Sequence, residues 1–274
     1  MSLSQWFWKL ALSAIAITFF SGCSTLTGAE RVTSELASHS YILRGQGTPI
    51  VILEAGLGDG KDSWTPIFKK ISRTSTVFAY DRVGYGSSRS TNRSRDGATI
   101  VAELRATLRS IGLDPPFVLV GHSIGGTYME LYARSYPDEV AGVVLVDSRH
   151  ADFDRQCEVA GARMCDPPAI LSALLPQGPK RELAAGERTM QAVMTAGPFP
   201  NVPLTVLTSS KKTLEGKRFR DVWLDTQESL ATLSSKSEHV ICDRCGHYIH
   251  RDDPDLVISS VVDTVQLVRR DRGE

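Results

Sequence analysis

Short runs of Val, Ile, Leu and Phe recur along this chain, and the segments between them return to apolar residues every three or four positions. Tyr41-Ile42-Leu43, Ile50-Val51-Ile52-Leu53, Thr76 to Tyr80, Phe117 to Val120, Gly142 to Val146, Leu204 to Leu207 and Val240-Ile241 read as strands. Runs without polar interruption belong to strands buried on both faces, the habit of parallel sheets. Between them, Ile100, Val101, Leu104, Leu108 and Ile111 follow helical spacing over Ala98 to Ile111. Ile124 to Tyr136 is a second helical segment, stopped by Pro137, and Leu256 to Val268 is a closing amphipathic helix with Pro254 near its start. This alternation predicts an α/β fold with a mostly parallel central sheet and helices on both faces.

Two stretches depart from the alternation. Arg149 to Pro200 is rich in proline, with weak helical pieces such as Arg181 to Thr195. An excursion of about fifty residues between two strands is expected to be a small lid insertion over the active site. It spans 149–200 and divides the core into 40–148 and 201–274. At the other departure, Lys9 is the only charged side chain before Glu30, and Leu10 to Phe20 is apolar. That stretch is too short to span a bilayer and suits the core of a signal peptide over residues 1–22. The small, polar residues of 23–39 then read as a linker.

Apolar residues make up 42% of the chain and charged residues 23%, the balance of an ordinary globular protein. With 31 basic and 31 acidic side chains the net charge is zero, so no nucleic-acid footprint is present. Besides Cys23, four cysteines remain: Cys157, Cys165, Cys242 and Cys245. An even number in an exported chain predicts two disulfides, with the local pairing Cys157–Cys165 and Cys242–Cys245 one of three connectivities. A bridge over two intervening residues is tight, which keeps a cross-link between the two regions open.

The chemistry begins at Gly121-His122-Ser123-Ile124-Gly125, directly after the strand Phe117 to Val120. A G-x-S-x-G motif between a strand and a helix is a nucleophile elbow, whose sharp turn holds a serine hydroxyl above the sheet edge. The amide of the next residue, Ile124, then points at the place where an oxyanion forms. Three further segments accompany the elbow: Ile52 to Gly58, Tyr80-Asp81-Arg82-Val83-Gly84-Tyr85-Gly86-Ser87-Ser88, and Cys245-Gly246-His247-Tyr248-Ile249 ahead of Asp253-Pro254.

In order and spacing, these four segments resemble the α/β-hydrolase family over about residues 40 to 270, essentially the whole mature chain. The resemblance implies an α/β-hydrolase fold, Ser123 as nucleophile, His247 as its base and the amides of Leu57 and Ile124 as an oxyanion hole. His250 is the rival base. The resemblance makes His122, Asp81 and Arg82 structural, and Trp64 and Tyr128 read as packing residues. The family most often places its acid after the strand that here is Leu204 to Leu207, but Thr208 to Lys212 holds no carboxylate. Some members carry the acid after the preceding strand, and Asp147 stands there, with Asp221 and Asp225 as alternatives. The implied activity is a serine hydrolase cleaving a carboxylic ester of a small molecule through an acyl-enzyme. Amidase, thioesterase, lactonase and haloperoxidase branches stay open, as does a binding or scaffolding role without catalysis.

Two more readings complete the expectation. Cys242-Asp243-Arg244-Cys245 with His247 and His250 imitates the spacing of a zinc site, but such a site would consume the base that Ser123 needs. No metal and no cofactor is therefore expected. Phe20-Ser21-Gly22-Cys23 resembles the lipobox of bacterial lipoproteins, which implies lipidation at Cys23 and an exported, membrane-anchored protein facing the periplasm. Ser24 after the cysteine implies the outer membrane in that family; a soluble periplasmic or secreted form is the alternative.

Overall fold

A computed structural model of the protein describes residues 25–162, 165, 172, 174–211 and 216–274. The expected signal peptide and lipidation site at Cys23 lie outside the described residues. Among the described residues, the seven apolar runs and one further segment form a sheet of eight strands in the order β1-β2-β4-β3-β5-β6-β7-β8. They are β1 (Glu30–Thr33), β2 (Ser38–Arg44), β3 (Ile50–Glu54), β4 (Val77–Asp81), β5 (Phe117–His122), β6 (Val140–Val146), β7 (Leu204–Ser209) and β8 (Ser237–Cys242). From β4 through β8 all neighbours are parallel, and only β2 joins β1 and β4 antiparallel. The α/β-hydrolase fold expected from the sequence is the one observed.

One departure is β1, which falls inside the segment read as a linker. Its residues are almost all exposed, so it carries no apolar run to announce it. Pairing with β2 orders it, Val32 opposite His39.

The strands bury side chains on both faces because helices cover both. On β5, Phe117 and Leu119 join one core with Tyr128, Leu104 and Val193, while Val118 and Val120 join the other with Ile67, Val261 and Val265. The first face is covered by α2 (Gly97–Ser110), α3 (Ile124–Ser135) and α6 (Gly186–Thr195), the second by α1 (Thr65–Ile71), the short α8 (Ile249–Asp252) and α9 (Pro254–Arg272). Asp96 caps α2 and Asp253 caps α9, each accepting an amide of the first turn.

The segment 149–200 contains α4 (Phe153–Val159), α5 (Gln177–Ala184) and α6. The single helical piece expected over Arg181 to Thr195 is broken at Ala185. Met190 and Val193 of α6 are buried in the main core, so this half of the insertion is part of the scaffold. Helix α4 instead packs on α7 (Lys217–Ala231), through Phe153 against Trp223. Helix α7 was not foreseen from the sequence, although Val222, Trp223, Thr226, Gln227 and Leu230 are buried at helical spacing. Both disulfides are local, Cys157–Cys165 and Cys242–Cys245. Among the described residues no helix is long and apolar enough to cross a membrane.

Chain order explains where a site forms. From β3 the chain steps to β4 on one side and then returns to β5 on the other. The loops leaving β3 and β5 therefore diverge, and a crevice opens at their carboxyl ends.

Candidate active site

Ser123 stands at that crevice with φ 55° and ψ −126°, between β5 and α3. This backbone is unfavourable for a residue with a Cβ. It holds because the turn leaves no room to relax. A Cβ on Gly121 would lie 2.5 Å from Gly126 Cα, and one on Gly125 would lie 2.5 Å from the carbonyl oxygens of both Glu54 and Ala55. The Ser123 amide donates to the Val146 carbonyl at 3.2 Å, and the Ser123 carbonyl accepts from the Arg149 amide at 3.1 Å.

His247 meets Ser123. Its Nε2 lies 2.9 Å from Ser123 Oγ, and its Nδ1 lies 2.7 Å from Asp147 Oδ2. A carboxylate only accepts, so Nδ1 carries the ring proton; Nε2 is then the acceptor for the serine hydroxyl. The His loop is held from three directions. The Cys242–Cys245 disulfide closes the turn before it. Asp252 accepts the Gly246 amide at 2.7 Å, and His122 Nε2 donates to the His247 carbonyl at 2.9 Å. His122 thus faces the loop rather than the cavity, and burial holds its pKa well below the usual histidine value, helped by His247 and His250 nearby.

Asp147 follows β6 with φ 45°. Both carboxylate oxygens are saturated: Oδ1 accepts from the Ser209 amide at 2.8 Å and the Trp223 indole at 3.1 Å, Oδ2 from Ser209 Oγ at 2.9 Å and from His247. The carboxyl is 1% exposed while His247 is 42% exposed. Neither alternative acid reaches the histidine. Asp221 pairs with Lys217 at 2.5 Å, and Asp225 is exposed on α7.

The amides of Leu57 and Ile124 have no acceptor among the described residues. Ile124 opens α3, where the first amides lack intrahelical partners. Leu57 is brought close by Gly56, where a Cβ would lie 3.4 Å from Ser123 Cβ. A cavity of about 240 Å³ opens beside Ser123, walled by Phe219 and Trp223 of α7 and edged by Arg149, Lys211 and Arg220.

Behind the Leu57 loop sits a buried charge cluster. Arg82 is fully buried and donates to Glu54 at 2.7 Å, to both oxygens of Glu182, and to the carbonyls of Ala55 at 2.6 Å and Gly56 at 2.9 Å. Tyr85 donates to Glu182 at 2.7 Å and accepts the Gly58 amide at 3.4 Å. Tyr80 donates to the second oxygen of Glu54. Burial pushes the Glu54 carboxyl above its usual range, opposed by Arg82 beside it. The family resemblance made Arg82 structural; the structure shows that it holds the two carbonyls just before Leu57, while Tyr85 holds the amide just after it. Asp81 accepts from Lys61 Nζ at 2.8 Å and from the Lys61 amide at 3.0 Å, bracing the stretch after that loop.

Trp223, Ser209 and Glu182 were not singled out from the sequence. Trp223 was legible only through the buried stripe of α7. Nothing local marks Glu182, whose partner stands 100 residues earlier. His250 is buried against Trp64 and His122 and does not reach Ser123. His39 pairs with Thr107 and His239 with Thr208, each at 2.8 Å, while His150 accepts the Asp152 amide at 3.0 Å. Tyr128 and Trp64 are core residues.

Residues 49–192 match the model of a family described as having the alpha/beta hydrolase fold. The chain is 26% identical over 241 residues to the uncharacterized protein YqjL of Bacillus subtilis, covering 83% of this chain and 87% of that one. It is 36% identical over 104 residues to the (lyso)-N-acylphosphatidylethanolamine lipase of Bos taurus, covering 36% of this chain and 30% of the lipase. Among solved structures, a thermophilic esterase from Thermogutta terrifontis superposes with a TM-score of 0.65 at 18% identity, over 88% of this chain and 99% of the esterase.

Proposed function

This chain belongs to the alpha/beta hydrolase fold family, and from that premise we propose that it is a serine hydrolase of small carboxylic esters. The observation that carries the reading is the hydrogen-bonded line from Ser123 Oγ through His247 to Asp147, at 2.9 and 2.7 Å, on a strained elbow. Esterase and lipase relatives support the same class. Ser123 Oγ attacks the ester carbonyl carbon while His247 Nε2 takes its proton. Asp147 holds the ring in the Nδ1–H tautomer and stabilises the imidazolium. The Leu57 and Ile124 amides bind the oxyanion, each worth roughly 3 kcal/mol in the transition state. The imidazolium protonates the departing alcohol, and water, deprotonated by the same ring, releases the acid from the acyl-enzyme.

The decisive experiment is labelling by a fluorophosphonate probe alongside turnover of para-nitrophenyl esters. Stoichiometric labelling, lost in Ser123→Ala, is expected. Folded protein that neither takes the label nor hydrolyses any ester would sink the reading.

We further propose that residues 1–22 are a signal peptide removed on export and that Cys23 carries the lipid, anchoring the enzyme to the outer membrane on its periplasmic side. Two disulfides suit an oxidising compartment. Cys23→Ala is expected to move the protein to the soluble fraction; continued membrane association would exclude lipidation at this residue as the anchor.

A further inference from the structure

Among the described residues, the cavity beside Ser123 is lined by three cations, Arg149, Lys211 and Arg220, against one carboxylate, Asp147. The chain as a whole balances 31 basic with 31 acidic side chains, so this excess is local. Asp147 has nothing left to offer a ligand. Each of its oxygens already accepts two hydrogen bonds, from Ser209, Trp223 and His247. Arg149 is engaged with Asp154 and lies over the Phe153 ring. Lys211 and Arg220 differ: neither has an ion-pair partner among the described residues, while Lys217 on the same helix as Arg220 is paired with Asp221. Phe219 and Trp223 stack at 5° between ring planes, giving the cavity a flat apolar wall.

A small cavity with an aromatic wall and, among the described residues, unpaired cations and no free carboxylate selects against cationic ligands and against long uncharged chains. We propose that the substrate is a small ester one half of which carries an anionic group, a carboxylate or a phosphate. Lys211 and Arg220 hold the anion, and the carbon skeleton lies on Phe219 and Trp223. The proposal rests on the reading of Ser123 as the residue that attacks the ester.

Steady-state kinetics on the full-length protein test it with three anionic esters. These are mono-para-nitrophenyl glutarate, carboxymethyl butanoate and butanoyloxyethyl phosphate, which put the anion on the acyl side, on the alcohol side, and as phosphate rather than carboxylate. Each is compared with its uncharged methyl-capped counterpart. For at least one pair the anionic ester is expected to have kcat/KM higher by about tenfold, mainly through KM, as charged hydrogen bonds allow. The ratio should collapse toward one when salt rises from about 0.01 M to about 1 M. It should also collapse in the Lys211→Gln, Arg220→Gln double variant, while Arg270→Gln on α9 keeps it. The pair with the larger ratio identifies carboxylate or phosphate as the recognised group. Ratios near or below one for all three, or a preference that survives the double variant, overturn the proposal. If no ester is turned over, the esterase reading fails separately, and calorimetry on Ser123→Ala decides the anion site. Salt-sensitive binding of an anionic ester that vanishes with Lys211→Gln, Arg220→Gln upholds it, and no binding overturns it.

Discussion

On one side of the loop from Ala55 to Gly58 stands His247, 42% exposed and joined to Ser123 and Asp147 in a single line. On the other side stands Arg82, 1% exposed, tied to two carboxylates and two carbonyls of the loop. Both regions are polar, yet their physics is opposite. The first side leaves an imidazole ring open to solvent, and stores backbone strain at Ser123 and Asp147. The supporting side removes its charges from water, where loss of any one partner strands the others. The loop beside Ser123 is thus shaped from behind by buried groups that lie outside the cavity.

The largest separation between the two regions is expected from Asp147→Asn. Asparagine keeps the shape but favours the wrong tautomer of His247, so kcat should fall on the order of 10⁴-fold with little loss of stability. Asp225→Asn is expected to leave activity unchanged. The reverse pattern in esterase assays would transfer the acid to α7. Glu182→Ala strikes the other region. It leaves Arg82 buried with one carboxylate instead of two, and a loss of about 3–5 kcal/mol is expected in urea titration. The loosened Leu57 loop should lower kcat as well, whereas an unchanged urea midpoint would show that Glu182 does not hold the loop.

A third measurement uses pH. His39 and His250 are buried, and their pKa values are depressed from 6.5 to about 3, by burial first and then by Arg95 beside His39, and by Arg251 and His247 beside His250. At each of these two positions the unfolded chain therefore takes up a proton that the folded chain refuses. Their contribution is complete above pH 6.5 and is lost as pH falls toward 3. At about pH 5 each histidine lowers stability by about 2 kcal/mol relative to neutral pH. His250→Phe should flatten the dependence by one proton; a profile identical to that of the parent protein would mean that His250 is not buried neutral. The smallest effect is expected from Trp223→Phe, which removes one of the four hydrogen bonds to Asp147 and keeps the aromatic wall. A fall in kcat of about tenfold corresponds to one charged hydrogen bond. No change would assign Trp223 to packing alone.

The contrast between the regions is also a contrast in legibility. The elbow could be read because it is local: an apolar strand, two glycines around a serine and a helix follow one another without a break. His247 was marked by its own loop. Asp147 was legible only as one of several carboxylates, because its pairing depends on where β6 ends relative to β8. Trp223 and Glu182 were not foreseen. The indole acts on a carboxylate 76 positions away, and the glutamate on an arginine 100 positions away. Helix α7 was missed because its buried stripe is interrupted by charged residues on the solvent side. Strand β1 was missed because an exposed edge strand needs no apolar residues, only a neighbour with free backbone groups.

Periodicity and turn chemistry within a few positions were enough for the layered α/β architecture, the elbow at Ser123 and the residues offered around it. Long-range packing was needed to show which carboxylate meets His247, which buried charges support the Leu57 loop and which cations edge the cavity. Those choices depend on distances across the sheet, and no local pattern carries them, because the contacts form only when strands far apart in sequence lie side by side.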